Sequence, residues 1–139
     1  ISVSHIKPHG ALYNQAAKDA QVARVIGDAV DRIDPHLNIM CLSGSLMVRV
    51  LEDMGLNVVQ EAFADRTYER NGSLRNRNLD HALITSPQKA ADQARLIIER
   101  NKVIAFDGSE VSIEAQTICI HSDTPNAVAI AAEVSTGIR

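Results

Sequence analysis

Four places in the chain set chemically capable side chains at the end of an apolar, β-prone run. Lys7 and His9 follow Ser2–Ile6, and Ser43 and Ser45 follow Asn38–Leu42. Glu61, Asp65 and Arg66 lie at the end of Leu56–Phe63, and His121 and Asp123 follow Gln116–Ile120. An imidazole with a carboxylate close in sequence suits a general base with an orienting partner, or ligands for a divalent metal. Lysine and arginine suit the steadying of developing negative charge. Ser43-Gly44-Ser45 suits either an anion cradle before a helix or simple helix capping. Glu61 falls within a strand, where an unpaired carboxylate is costly. It is expected to line a polar pocket or to pair with a buried arginine, and Asp65-Arg66 beside it favours a charge cluster. Asp123 or Thr124 is expected to cap the last helix, whereas His121 has no capping duty. No Walker A loop, dinucleotide fingerprint, CxxC pair or HExxH motif occurs.

The elements that must position these groups alternate. Lys7-Pro8 stops the first strand, since proline has no ladder donor, and Gly10 lets the chain turn. Val22, Val25, Ile26, Ala29, Val30 and Ile33 make one apolar face of a helix that Asp34-Pro35 ends. Met47, Val50, Leu51 and Met54 make the face of a second helix, stopped by Gly55. A polar stretch, Ala64–Asp80, carries four arginines and no helical stripe, and is expected to be a functional loop. Thr85-Ser86-Pro87-Gln88 starts a helix with Ala90, Ala94, Ile97 and Ile98 on its face. Asp107-Gly108 between two β-prone runs predicts a hairpin. Thr124-Pro125 opens a final helix with Ala127, Ile130, Ala131 and Val134 on one face. Short, nearly continuous apolar strands alternating with helices predict an α/β fold with a parallel sheet covered by outer helices. In such folds the site lies at the carboxyl ends of the strands.

The 139 residues suit a single domain, 1–139. A net charge of −3, with two Phe, two Tyr and no Trp, argues against a nucleic-acid or anionic-membrane surface. No apolar run approaches the roughly 20 residues of a membrane helix. Cys41 and Cys119 sit in apolar strand candidates and are expected to be buried, reduced thiols. With no leader recognisable, a cytoplasmic location is expected. The chain opens at Ile1 without a methionine and already within a strand pattern, as a processed or partial chain would.

Three strings carry a resemblance. Lys7-Pro8-His9-Gly10-Ala11-Leu12-Tyr13-Asn14, Glu61-Ala62-Phe63-Ala64-Asp65-Arg66-Thr67-Tyr68 and Thr117-Ile118-Cys119-Ile120-His121-Ser122-Asp123-Thr124-Pro125 resemble the LamB/YcsF family, in order, across the whole chain. The resemblance implies part of an incomplete (β/α) TIM-like barrel of the glycoside hydrolase/deacetylase type, with one β-hairpin. It further implies that this is the C-terminal half of the family's chain. The implied activity is a hydrolase's: ATP-dependent opening of 5-oxo-L-proline (pyroglutamate) to L-glutamate, with ATP as co-substrate and partner subunits B and C. Within that reading the catalytic candidates are His9, Glu61, Asp65, His121 and Asp123, and the substrate-binding candidates are Lys7, Tyr13, Ser43 and Arg66. A divalent metal and a homo-oligomer are compatible with it. The rivals are a metal-dependent polysaccharide deacetylase-like hydrolase and a non-catalytic scaffold protein of the same complex.

Overall fold

The computed structural model describes residues 2–138, so Ile1 and Arg139 lie outside the described residues. The chain forms two compact units, one ending at Glu61 and the next beginning at Ala62.

The first unit opens with β1 (His5–Ile6), shorter than the Ser2–Ile6 run expected. It pairs in parallel only with His5 opposite Asn38 and Ile6 opposite Ile39, before Pro8 ends the ladder. The residues after Gly10, expected as a loop, form a helix, α1 (Gly10–Ala16). Helix α2 (Ala20–Ile33) begins at Asp19, whose carboxylate accepts from the N–H groups of Gln21 and Val22. Strand β2 (Asn38–Leu42), α3 (Leu46–Asp53) and β3 (Val58–Phe63) follow, and β3 runs on into the second unit. β2 and β3 pair in parallel, with Leu42 opposite Glu61. Ile39 and Cys41, on one face of β2, pack with Ala23, Val30, Met47 and Leu51.

The buried face of α2 differs from the expected stripe. Val30 is buried and Val22 and Ile26 pack on the core as expected, but Val25, Ala29 and Ile33 are exposed, and Ala23 and Gly27 are buried in their stead. The reason is close approach to α3: a Cβ on Gly27 would stand 2.8 Å from Leu51 Cδ2 and from Met54 Cε. The smallest residues, not the largest, mark this contact.

In the second unit a polar segment leads from β3 to α4 (Pro87–Arg100), β4 (Lys102–Ile104), β5 (Glu110–Ser112), β6 (Thr117–Cys119) and α5 (Ala127–Gly137). Ser86, not Thr85, caps α4: its hydroxyl accepts from Lys89 N–H, Pro87 is the first helical residue, and Gln88 bonds Asp92 instead of closing a capping box. β4 and β5 form the expected antiparallel hairpin, with Asp107 accepting from the N–H and hydroxyl of Ser109 and Gly108 at φ +84°. Ala64 N–H donates to Cys119 O at 3.1 Å, which lays β6 beside the chain leaving β3. α4 and α5 share a core of Ala90, Ala91, Ala94, Ile130 and Val134, whereas Ile98, expected on the buried face of α4, is exposed. The parallel strands, covering helices and single hairpin are those of the α/β class expected from the sequence. No helix among the described residues is long and apolar enough to cross a membrane.

Candidate functional site

The expected helix start at Thr124-Pro125 is displaced: α5 is capped by Asn126 at φ +68°, and neither Asp123 nor Thr124 caps it. Thr124 is instead 4% exposed, and its hydroxyl donates to Asp65 Oδ2. The same carboxylate accepts from the backbone N–H of His121 at 3.0 Å and from its Nδ1, which lies 3.0 Å from Oδ1 and 3.1 Å from Oδ2. Asp65 has no exposed surface. Burial pushes its carboxyl up, but the hydrogen bonds from His121 and Thr124 outweigh burial and hold it below its ordinary 3.8. An ionised carboxylate only accepts, so Nδ1 carries a proton, and in the neutral ring the lone pair is on Nε2. The Phe63 ring stacks on the imidazole, with centroids 5.1 Å apart and planes 15° from parallel. The ring is therefore fixed in tautomer and in plane, while 24% of the His121 side chain still meets solvent.

The backbone around this array is tied down. Ile84 N–H donates to Asp65 O, Tyr68 Oη accepts from Phe63 N–H, and Thr124 N–H donates to His121 O. From α4, the Gln93 amide donates to the carbonyls of Phe63, Ala64 and Arg66, at 2.7, 3.3 and 2.9 Å. Thr124, Phe63, Tyr68 and Gln93 were not among the expected site residues. A polar residue one turn from Ala90 and from Ile97, on an otherwise apolar flank, is the signal that would have found Gln93.

Arg66 is 4% exposed, and its Nε and Nη2 donate to the carbonyls of Ala82 and Arg75. Burial, and then the charge of Arg77, push its guanidinium below the usual arginine range. Asp123 accepts from Arg77 Nη1 at 2.8 Å, a bond that holds its carboxyl below the usual range.

In the first unit Glu61 is 2% exposed, and its partner is Lys7, not an arginine: Nζ to Oε2 is 2.7 Å. Lys7 Nζ also lies 5.6 Å from the centroid of the buried Tyr13 ring. Among the described residues Glu61 Oε1 is buried with no hydrogen-bond partner, as is Ser45 Oγ. Such an orphaned atom costs the fold about 1–3 kcal/mol, which marks it for a functional explanation. Ser45 stands at the start of α3 without capping it. The N–H groups of Ser43, Gly44 and Ser45 donate to Glu61 O, Gln60 Oε1 and Leu42 O, and Leu46 N–H donates to Ala17 O. With those donors engaged, the loop is not a preformed anion cradle. His9 is exposed at the start of α1, and its side chain makes no cap.

Neither cysteine is in a disulfide. Burial, then the charges of Glu61 and Glu52, push the Cys41 thiol up to about 12, so it is not a nucleophile at neutral pH. Among the described residues no three His, Cys, Asp or Glu side chains are gathered as metal ligands would be.

Comparison with known proteins bears on this arrangement. The sequence model of the LamB/YcsF family matches residues 1–139. The A subunit of 5-oxoprolinase from Halalkalibacterium halodurans is 46% identical over 128 residues, which is 92% of this chain and 50% of that protein. The corresponding 5-oxoprolinase protein of Chloroflexus aurantiacus is 46% identical over 138 residues, 99% of this chain and 54% of that one. The crystal structure of a lactam utilization protein from Thermus thermophilus superposes with a TM-score of 0.89 at 40% identity, covering 99% of this chain and 55% of that one. The chain thus spans about half the length of the curated relatives it matches.

Proposed function

The chain belongs to the LamB/YcsF family, and from that premise we propose that it is part of the A subunit of an ATP-dependent 5-oxoprolinase. The reaction opens 5-oxo-L-proline to L-glutamate, in assembly with subunits B and C. The observation that carries this reading is the array of Asp65, His121 and Thr124. Opening a lactam requires water to add to an amide carbonyl, which is unreactive until a base removes the water's proton. His121 Nε2 is the atom for that task. Asp65 holds the imidazole in the accepting tautomer and balances the imidazolium charge when the proton arrives, and Thr124 holds Asp65 in turn. ATP, as co-substrate, supplies activation of the amide oxygen. The sequence has no nucleotide loop, and the loop before α3 has its N–H groups engaged, so no residue of this chain is assigned to ATP. Lys7 is kept as a candidate for steadying negative charge, whereas Arg66 has backbone carbonyls on two of its nitrogens.

The test is 5-oxoproline-dependent ATP hydrolysis by the full-length protein with its partner subunits. His121→Ala should lower it by about 10²-fold or more, the usual scale for loss of a general base. Turnover near that of the parent protein would remove His121 from the mechanism.

A further inference from the structure

The four arginines of the polar segment are not equivalent. Arg66 is buried and donates to the carbonyls of Ala82 and Arg75. Arg75 donates to Asp80 O at 2.8 Å and to Glu69 Oε1 at 2.7 Å, and its guanidinium lies 3.6 Å from the centroid of the Phe106 ring. Arg70 is 80% exposed but pairs with Asp107 of the hairpin turn, at 3.4 Å. Arg77, 42% exposed, pairs with Asp123, itself 66% exposed. Asp123 is two residues beyond His121 in the turn that carries the imidazole. Of the four, Arg77 therefore combines solvent access with an ion pair to the turn that carries the candidate base.

We infer that Arg77 binds the carboxylate of the substrate, and that Asp123 is the resting partner which the ligand's carboxylate replaces. This rests on the proposed function, because 5-oxoproline at neutral pH carries one ionised group, its carboxylate. A guanidinium presents a planar fork that matches a carboxylate with two parallel hydrogen bonds. The bond to Asp123 engages Nη1; in the exchange the guanidinium keeps a carboxylate partner, and the displaced Asp123, 66% exposed, is left to solvent. A pair this exposed contributes little to the fold, which leaves Arg77 free to change partner.

The test uses the full-length protein assembled with its partner subunits, and compares Arg77→Met, Arg77→Lys and Asp123→Asn in 5-oxoproline-dependent ATP hydrolysis. Arg77→Met should raise KM for 5-oxoproline by about tenfold to a hundredfold, the range for losing a charged hydrogen bond, with kcat within about threefold. Arg77→Lys, which keeps the charge and loses the fork, should fall between. Asp123→Asn removes the competing carboxylate and should leave KM unchanged or lower. A merely structural bridge is broken equally from either side, so matching effects of Arg77→Met and Asp123→Asn overturn the inference, as does an unchanged KM in Arg77→Met. If the parent assembly fails to turn over 5-oxoproline at all, the proposed function falls and takes this inference with it. Turnover with the wrong KM pattern removes the inference alone.

Discussion

Asp65 is wholly buried and yet ionised, so its donors must sustain the charge. That arrangement links stability to pH with a definite sign. Its carboxyl lies below its ordinary 3.8 in the folded chain because the bonds from His121 and Thr124 outweigh burial. The stability it contributes is full above the unfolded value and is lost as pH falls through the folded one. Denaturant melts between pH 6 and 2 should show a loss of stability starting below about pH 4, and Asp65→Asn should flatten that limb. An unchanged acid limb in the variant would show that other carboxylates set it. Lys7 and Glu61 make the opposite kind of pair, two charges taken out of water together. Lys7→Met leaves Glu61 buried without its cation and should cost about 3–5 kcal/mol in chemical denaturation. Lys7→Met with Glu61→Met should recover most of that loss, since replacing both partners removes the stranded charge. At this scale the sequence marked strand-end side chains that the fold gathers into polar clusters, and was poor about their partners. Strand-end position is local and marks His121, Asp65 and Glu61. The bonds from Lys7 to Glu61 and from Asp65 to His121 span 54 and 56 residues, and no local pattern encodes them.

Among the elements, apolar periodicity found α2, α3, α4 and α5 because burial of one face repeats with the helical turn. It placed half of the buried face of α2, Val22, Ile26 and Val30, and missed Ala23 and Gly27, since a count of large apolar residues cannot weigh a glycine that serves by being small. Gly27→Ala offers the check. On helix propensity alone the change should stabilise by about 1 kcal/mol. The new methyl would meet Leu51, which has no exposed surface, and Met54, both at 2.8 Å. Overpacking of this kind costs about 1–3 kcal/mol. Met54 can swing aside and Leu51 cannot, so the net expectation is a loss of about 1 kcal/mol, read from the midpoint of a urea melt. A stabilised variant would mean that α2 and α3 separate readily. Helix α1 was not legible for a related reason. It is a short helix whose inward residues reduce to Tyr13 and Ala16, too few to show a period. The start of α5 lies later than its local signal because Thr-Pro is a good cap and first turn, yet Thr124 makes its bond to Asp65 across 59 residues. A long-range acceptor overrode a local preference.

For the molecule as a whole, the chain spans about half of each relative with which it aligns. The scaffold and enzymatic readings make different demands on the assembly. A scaffold needs its surfaces and not its buried array, whereas an enzyme needs His121 even when every surface is intact. Under the proposed function, the full-length protein alone should show no 5-oxoproline-dependent ATP hydrolysis, and adding subunits B and C should supply it. His121→Ala should then enter the assembly in the same amount, read by size-exclusion chromatography, and melt close to the parent. Its ring is part-exposed, and Asp65 keeps donors in the backbone of residue 121 and in Thr124. In that intact assembly turnover should still fall by about 10²-fold. Normal assembly with normal turnover would make the array a structural feature of a scaffold. Failed assembly would place His121 at a contact between subunits. Only intact assembly with lost turnover fits a base acting on water.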